Sequence, residues 1–193
     1  MSNWPLEIDR MPPFAYIKNF ITPEQCEEII NIGKKKGTQK GLVGFGAKSK
    51  YDKKIRKSSI VFLNHTDGLG KFFGELTSAV TSLNKQFFNF HISAFSEGLQ
   101  FTHYKAPGQK YGKHFDRGPN GIIRKLSVII QLSDPKKYKG GDLHLYEGED
   151  PIKTLRDQGA LIAFPSFFIH EVTPVTKGER FSLVAWVTGD PFR

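Results

Sequence analysis

A chain of 193 residues with 38% hydrophobic and 24% charged residues carries enough apolar material for one buried core, so a single domain over 1–193 is expected. No apolar run reaches the roughly 18 residues of a membrane span, and the first residues lack the basic-then-apolar pattern of a secretory leader, so a cytoplasmic protein is expected. A single cysteine, Cys26, excludes an internal disulfide and any thiolate-rich zinc or iron–sulfur site, while the net charge of +9 sits almost wholly between Lys34 and Lys57.

In chain order, "ITPEQCEEIINIGKKKG" reads as a helix with Thr22 as N-cap, Pro23 in the first turn and Gly37 as its stop. "GLVGFGAKSKYDKK" is rich in Gly and Lys and predicts a loop or hairpin tip; residues 41–56 are expected to form a flap over the functional pocket. "IRKSSIVFL" reads as one strand. Asp67 is placed as the cap of a second helix running to about Lys85, with Leu69, Phe72, Phe73, Leu76, Val80 and Leu83 at helical spacing. From Phe90 onward the texture changes to short β-rich runs: 90–95, 99–105, 111–116, 124–132, 142–146, 152–156, 159–164, 169–175 and 180–188. Runs at this spacing predict a mainly β sandwich or barrel, here preceded by two supporting helices.

Two H-x-D triplets occur. His65-x-Asp67 is absorbed by the expected cap. His114-x-Asp116 lies on a predicted strand, where residues i and i+2 share a face and Phe115 would point to the opposite layer. A third ligand is available in His170, after the buried-looking "FFI". Two His and one Asp with positions left open form the facial triad of non-haem Fe(II) oxygenases, and zinc accepts the same donors. Ten residues beyond His170 stands Arg180, expected on a neighbouring strand across a hairpin turning at Lys177-Gly178. Its guanidinium can hold a carboxylate by two parallel bonds, with Ser182 on the same face as a further donor. His91, His103 and His144 have no spaced acidic partner in the sequence and are assigned structural roles.

Three stretches, "LQFTHYKAPGQKYGKHFD", "RKLSVIIQLSDPKKYKGGDLHLY" and "GALIAFPSFFIHEVTPVTKGERFSLVAWV", resemble the Fe(II)- and 2-oxoglutarate-dependent dioxygenases of the prolyl 4-hydroxylase-like branch. "LSDPKKYKGGDL" and "HEVTPVTKGER" are similar to PKHD-type hydroxylases. The resemblance implies a double-stranded β-helix (jelly-roll) core over 55–190, with 1–54 supplying a helix and the basic flap. It implies Fe(II) on His114, Asp116 and His170, with no catalytic residue beyond these ligands. The distal carboxylate of 2-oxoglutarate would lie on Arg180, with Tyr104 and Ser182 in contact with the co-substrate and ascorbate as an accessory ligand. Where some members have a tyrosine on the strand lining the co-substrate, this chain has Gln131. Substrate contacts are placed on Arg124, Lys48, Lys50, Tyr111 and Trp186. The implied reaction uses O2 and 2-oxoglutarate to hydroxylate a C–H bond, in a prolyl or other residue of a peptide or protein, with an acidic partner suited to the basic segment. Nucleic-acid oxidative demethylation is disfavoured, because that branch usually carries a second arginine where this chain has Trp186. A non-catalytic jelly-roll binding protein would not need His114, Asp116, His170 and Arg180 together.

Overall fold

The computed structural model describes residues 11–44, 49–95 and 97–191. In chain order its strands are β1 (Ala15–Ile17), β2 (Gln39–Lys40), β3 (Arg56–Lys57), β4 (Ser59–Leu63), β5 (Ala94–Phe95), β6 (Leu99–Lys105), β7 (Lys110–His114), β8 (Arg124–Gln131), β9 (Lys139–Gly140), β10 (Leu143–Tyr146), β11 (Ile152–Lys153), β12 (Leu161–Pro165), β13 (Ile169–Val172), β14 (Val175–Lys177) and β15 (Glu179–Thr188). The larger sheet runs β1-β12-β8-β15-β6-β4-β2, with β5 added to β15; the smaller runs β11-β10-β13-β7-β3. Two antiparallel sheets with two helices behind the larger one give the expected mainly β jelly roll.

Helix α1 (Pro23–Lys36) begins at a capping box: the Thr22 hydroxyl accepts from the Gln25 amide at 3.3 Å, and the Gln25 side chain accepts from the Thr22 amide at 2.9 Å. It ends at Gly37, whose φ of +82° takes the chain out of the helix. Helix α2 (Gly70–Leu83) continues through a wider turn over Asn84–Phe88 and stops at Asn89. Asp67 does not cap it. Gly68, at φ +86°, turns the chain between them, so Leu69 holds the cap position. The Asp67 carboxylate instead accepts from the Asn64 amide at 2.7 Å and from Lys36 Nζ at 2.6 Å.

The larger sheet is covered on both sides, which explains why every residue of β8 is buried. Leu126, Val128 and Ile130 belong with α1 and α2 to one cluster, alongside Phe101, Leu183, Ala185 and Val187. Ile129, on the other face, joins Tyr104, Ile162, Phe164, Leu143, Leu145 and Val172 between the sheets. The period-two alternation therefore sends Ser127, Ile129 and Gln131 of β8, and Arg180, Ser182, Val184 and Trp186 of β15, to the inter-sheet face. The pairing Ser182↔Gln131, Val184↔Ile129 and Trp186↔Ser127 aligns the two rows side by side.

Two expectations about strands are corrected. "IRKSSIVFL" is not one strand: Arg56 pairs with Tyr111 in the smaller sheet, and after Ser58 the chain crosses to pair Ser59 with His103 in the larger. His170 and Arg180 are not on neighbouring strands either. β14 pairs with β9, leaving His170 in the smaller sheet and Arg180 in the larger. Among the described residues no helix is long and apolar enough to cross a membrane.

Candidate metal centre and co-substrate pocket

His114 ends β7, and the cross-strand register places it opposite His170 of β13, with ring centroids 4.2 Å apart. Asp116 lies just past the strand, where its amide donates to the Ser166 carbonyl at 2.9 Å. That bond ties the strand end to the turn before β13 and leaves Phe115 outward, 55% exposed, rather than against an opposite layer. The "FFI" segment is likewise not buried, with Phe167 and Ile169 each about half exposed, although His170 itself is buried.

One donor atom from each of His114, Asp116 and His170 lies within 4.8 Å of the others. His170 Nε2 is 3.4 Å from Asp116 Oδ2, and His114 Nε2 is 3.8 Å from Oδ1. The other ring nitrogens face backbone carbonyls: His114 Nδ1 lies 2.8 Å from Gly112 O, and His170 Nδ1 2.9 Å from Phe168 O. A carbonyl only accepts, so each Nδ1 carries a proton and, when the ring is neutral, each Nε2 presents its lone pair to the centre. This is the outer-shell arrangement that orients metal-binding imidazoles. Ser127 donates to Asp116 Oδ2 at 2.6 Å, and Ser166 Oγ lies 3.0 Å from Ser127 Oγ. Ser127 has one proton, so Ser166 supplies the donor in that second contact.

Burial opposes charge at all three groups, yet the outcomes differ. Burial and the neighbouring His170 charge push His114 down to about 3, so it is neutral. At His170 the same burial is outweighed by the charge and hydrogen bond of Asp116, and its pKa is raised. Burial pushes Asp116 up, but the His170 charge, the bond to it, His114 and Ser127 together hold it below the ordinary carboxylate range.

A cavity of about 310 Å³ opens from these three residues and is lined also by Tyr104, Tyr111, Ile129, Val172 and Val184. Arg180 lies beside it, 1% exposed, its Cζ 5.5 Å from the Tyr104 ring centroid. Its Nη2 donates to Gln131 Oε1 at 2.8 Å and Nη1 to Ser182 Oγ at 3.3 Å, while Nε has no partner among the described residues. A guanidinium buried without a counter-ion is costly by several kcal/mol, so its environment suits an anionic ligand. The residues present thus fit a divalent metal bound next to a carboxylate-bearing molecule.

The match to known proteins follows this geometry. Residues 99–188 match the family model described as the 2OG-Fe(II) oxygenase superfamily. A PKHD-type hydroxylase of Sphingopyxis alaskensis is 37% identical over 109 residues, covering 54% of this chain and 50% of its own length. The chain thus spans about half the length of that curated relative. Among solved structures, a Trichoplax adhaerens prolyl hydroxylase in complex with a hypoxia inducible factor oxygen degradation domain peptide fragment superposes with a TM-score of 0.75 at 20% identity, over 92% of this chain and 84% of the other. A Pseudomonas putida prolyl-4-hydroxylase gives 0.72 at 19% identity, over 93% and 94%. At such identities these structures establish a shared fold.

Within and around the matched segment, the remaining expected residues separate. Tyr111 both lines the cavity and stacks on His114, centroids 3.5 Å apart at 15°. Arg124 lies in the cavity wall, 3.8 Å over the Trp186 ring and 2.5 Å from Glu97 Oε1. Lys50 is exposed, bridges Val43 through its backbone and is not among the lining residues, whereas Leu42 and Gly44 are. Lys48 lies outside the described residues, as does 45–47 of the expected flap. His103 and His144 do have acidic neighbours, Glu179 at 3.6 Å and Glu171 at 3.8 Å, brought near by sheet pairing rather than by spacing.

Sequence reasoning missed Ser127 and Ser166 behind Asp116, and Glu97 against Arg124. It noted Gln131 only as a departure. Arg56, buried with its Cζ 4.5 Å from the Tyr111 ring, was also missed. Ser127 and Gln131 flank Ile129 at period two on the inter-sheet face of β8, a strand buried along its whole length.

Proposed function

We propose that this chain is an Fe(II)- and 2-oxoglutarate-dependent dioxygenase that hydroxylates a residue, prolyl first among the candidates, in a peptide or protein. The observation that carries this reading is the pairing of a metal-competent His–Asp–His group with a buried arginine, beside the same cavity, that has no acidic partner among the described residues. His114, Asp116 and His170 would hold Fe(II), and Arg180 with Ser182 would take the distal carboxylate of 2-oxoglutarate beside Tyr104. Iron bound there, with 2-oxoglutarate and O2, supplies oxidative decarboxylation to succinate and CO2 coupled to insertion of one oxygen atom into a C–H bond.

The chain's own residues bind, orient and exclude water. Ser127 donates to Asp116 and fixes its rotamer, while His170 does most to keep the carboxylate ionised. Gly112 and Phe168 fix the imidazole tautomers. Ile129, Leu143, Val172 and Val184 give the cavity apolar walls, which strengthen the polar contacts made inside it. Arg124, braced on Trp186 and Glu97, forms the wall available to a substrate. A peptide substrate is favoured by the peptide fragment in the Trichoplax prolyl hydroxylase complex.

The test is Fe(II)-dependent formation of succinate from 2-oxoglutarate, with ascorbate present and candidate prolyl peptides added, followed by mass spectrometry for one added oxygen. Arg180→Lys keeps the charge but loses the fork. It should raise the KM for 2-oxoglutarate by at least tenfold while changing metal affinity little. Absence of any Fe(II)-dependent succinate would overturn the proposal.

A further inference from the structure

Beyond Asp116 a second cavity of about 220 Å³ opens, lined by Phe115, Arg117, Ile122, Ile123, Arg124 and Phe167 among others. It shares Phe115, Asp116, Arg117 and Arg124 with the first cavity, so the two meet at the metal centre. Phe115, Ile122 and Phe167 are 55%, 38% and 48% exposed, and they come from three separate segments. Large apolar side chains converging in the open, rimmed by charged groups, mark an interaction site rather than scattered surface residues.

The backbone holds this arrangement in advance. The amide of Asp116 donates to Ser166 O at 2.9 Å, that of Phe168 to Pro165 O at 2.9 Å, and that of Ile122 to Pro119 O at 2.9 Å. At Gly118 a Cβ would run into the Ile122 carbonyl, so the loop closes on itself only with glycine there. Three hydrophobic walls are therefore presented by braced turns. Arg117 is exposed at the rim, Arg124 is paired with Glu97, and among the described residues the only acid lining the cavity is Asp116, whose charge faces the metal centre.

We propose that this second cavity is a side-chain subsite flanking the reaction centre, and that it takes a large apolar side chain of an extended peptide that has an acidic residue within two positions. The proposal rests on the peptide-hydroxylase reading above and deepens it. In an extended chain successive side chains alternate at about 3.3 Å per residue, so one side chain can enter the first cavity while a neighbour occupies the second. The apolar residue would be held by Phe115, Ile122 and Phe167, and the acidic one by Arg117.

The experiment is selection of a displayed random 12-residue peptide library on the protein loaded with Mn(II) and 2-oxoglutarate. The expected result is a pool enriched in a large apolar residue with Asp or Glu within two positions. Phe167→Asp should bind the wild-type pool at least tenfold more weakly, and selection on it should no longer return the apolar residue. Selection on Arg117→Glu should return Lys or Arg in place of Asp or Glu, a swap that a misfolded variant cannot produce. Lys71→Glu, on the exposed outer side of α2, should return the wild-type consensus. No enrichment over bare support, or an unchanged consensus with both Phe167→Asp and Arg117→Glu, overturns the subsite. Failure of the hydroxylase reading would show separately, as absence of Fe(II)-dependent succinate formation in the unsubstituted protein.

Discussion

Gln131 and Arg180, 49 residues apart in the chain, are joined by a buried hydrogen bond in which Gln131 Oε1 accepts from Arg180 Nη2 at 2.8 Å. The amide nitrogen of the same side chain donates to Leu155 O at 3.0 Å, so the amide is held from both ends. Gln131 thereby fixes the roll of the guanidinium, acting as a positioning residue. Gln131→Leu leaves a buried donor unsatisfied, which costs about 1–3 kcal/mol, and should raise the KM for 2-oxoglutarate about tenfold to a hundredfold. Gln131→Glu should be worse, because its carboxylate would pair with Arg180 in place of the ligand. Isothermal titration with 2-oxoglutarate in the presence of Mn(II) checks both; equal affinity in all three proteins would sink the assignment.

The proposed metal ligands offer a sharper contrast. His114→Ala, Asp116→Ala and His170→Ala each remove one of three donors and should abolish Mn(II) or Fe(II) binding. Circular dichroism should remain that of a folded protein, since the main core lies on the helix side of the larger sheet. Ser127→Ala removes only the bond behind Asp116 and should weaken the metal about tenfold to a hundredfold. A Ser127→Ala protein with unaltered metal affinity would show that the Asp116 rotamer is held by other means.

Metal affinity should also carry a specific pH signature. His170 has a raised pKa through Asp116, so its favourable pairing stabilises the metal-free fold fully below about 6.5 and is lost as pH rises through its higher folded value. His114, neutral down to about 3, acts in the opposite sense: its unfolded form gains a proton below about 6.5, so stability falls as pH drops from there toward 3. At pH values below the raised His170 pKa, binding a cation therefore displaces one proton, from His170, and none from His114. Below the His170 pKa the apparent Mn(II) affinity should fall about tenfold per pH unit, with one proton released per ion in paired-buffer calorimetry. Release of two protons would contradict the neutral His114.

How much of this was legible beforehand depends on the range over which each feature is determined. The α1 cap and the β-rich second half are local patterns and emerge intact, and the fold brings donor atoms of His114, Asp116 and His170 within 4.8 Å of one another. What failed depended on partners distant in sequence. "IRKSSIVFL" carries an unbroken β pattern, and nothing in it says that Arg56 and Ser59 join different sheets. The Lys177-Gly178 turn looks like a hairpin, yet β14 finds its partner in β9. Phe115 and Phe167 look like core residues by composition, and their exposure follows from the Asp116–Ser166 backbone bond. Ser127 and Gln131 sit in a strand whose two buried faces blur the alternation that would have singled them out.

The basic segment provides the last prediction. Val43 and Lys50 exchange backbone hydrogen bonds at 2.9 Å, and Arg56 Nη1 donates to Leu42 O at 3.2 Å, so the base of the segment is anchored to a buried arginine at the cavity. Leu42 and Gly44 line that cavity, while Lys50, Lys53 and Lys54 are exposed beyond it. Such exposed charges interact weakly, about 0.2–1 kcal/mol each, but they act together on an acidic ligand. Replacing the three lysines with Ala should raise the KM for an acidic peptide substrate about threefold to thirtyfold, and wild type should approach the variant at high salt. Decarboxylation of 2-oxoglutarate without peptide should change little, because the centre and Arg180 lie deeper in the sandwich. Equal loss of both activities would assign the segment a folding role, and loss of neither would reduce it to a solvated loop.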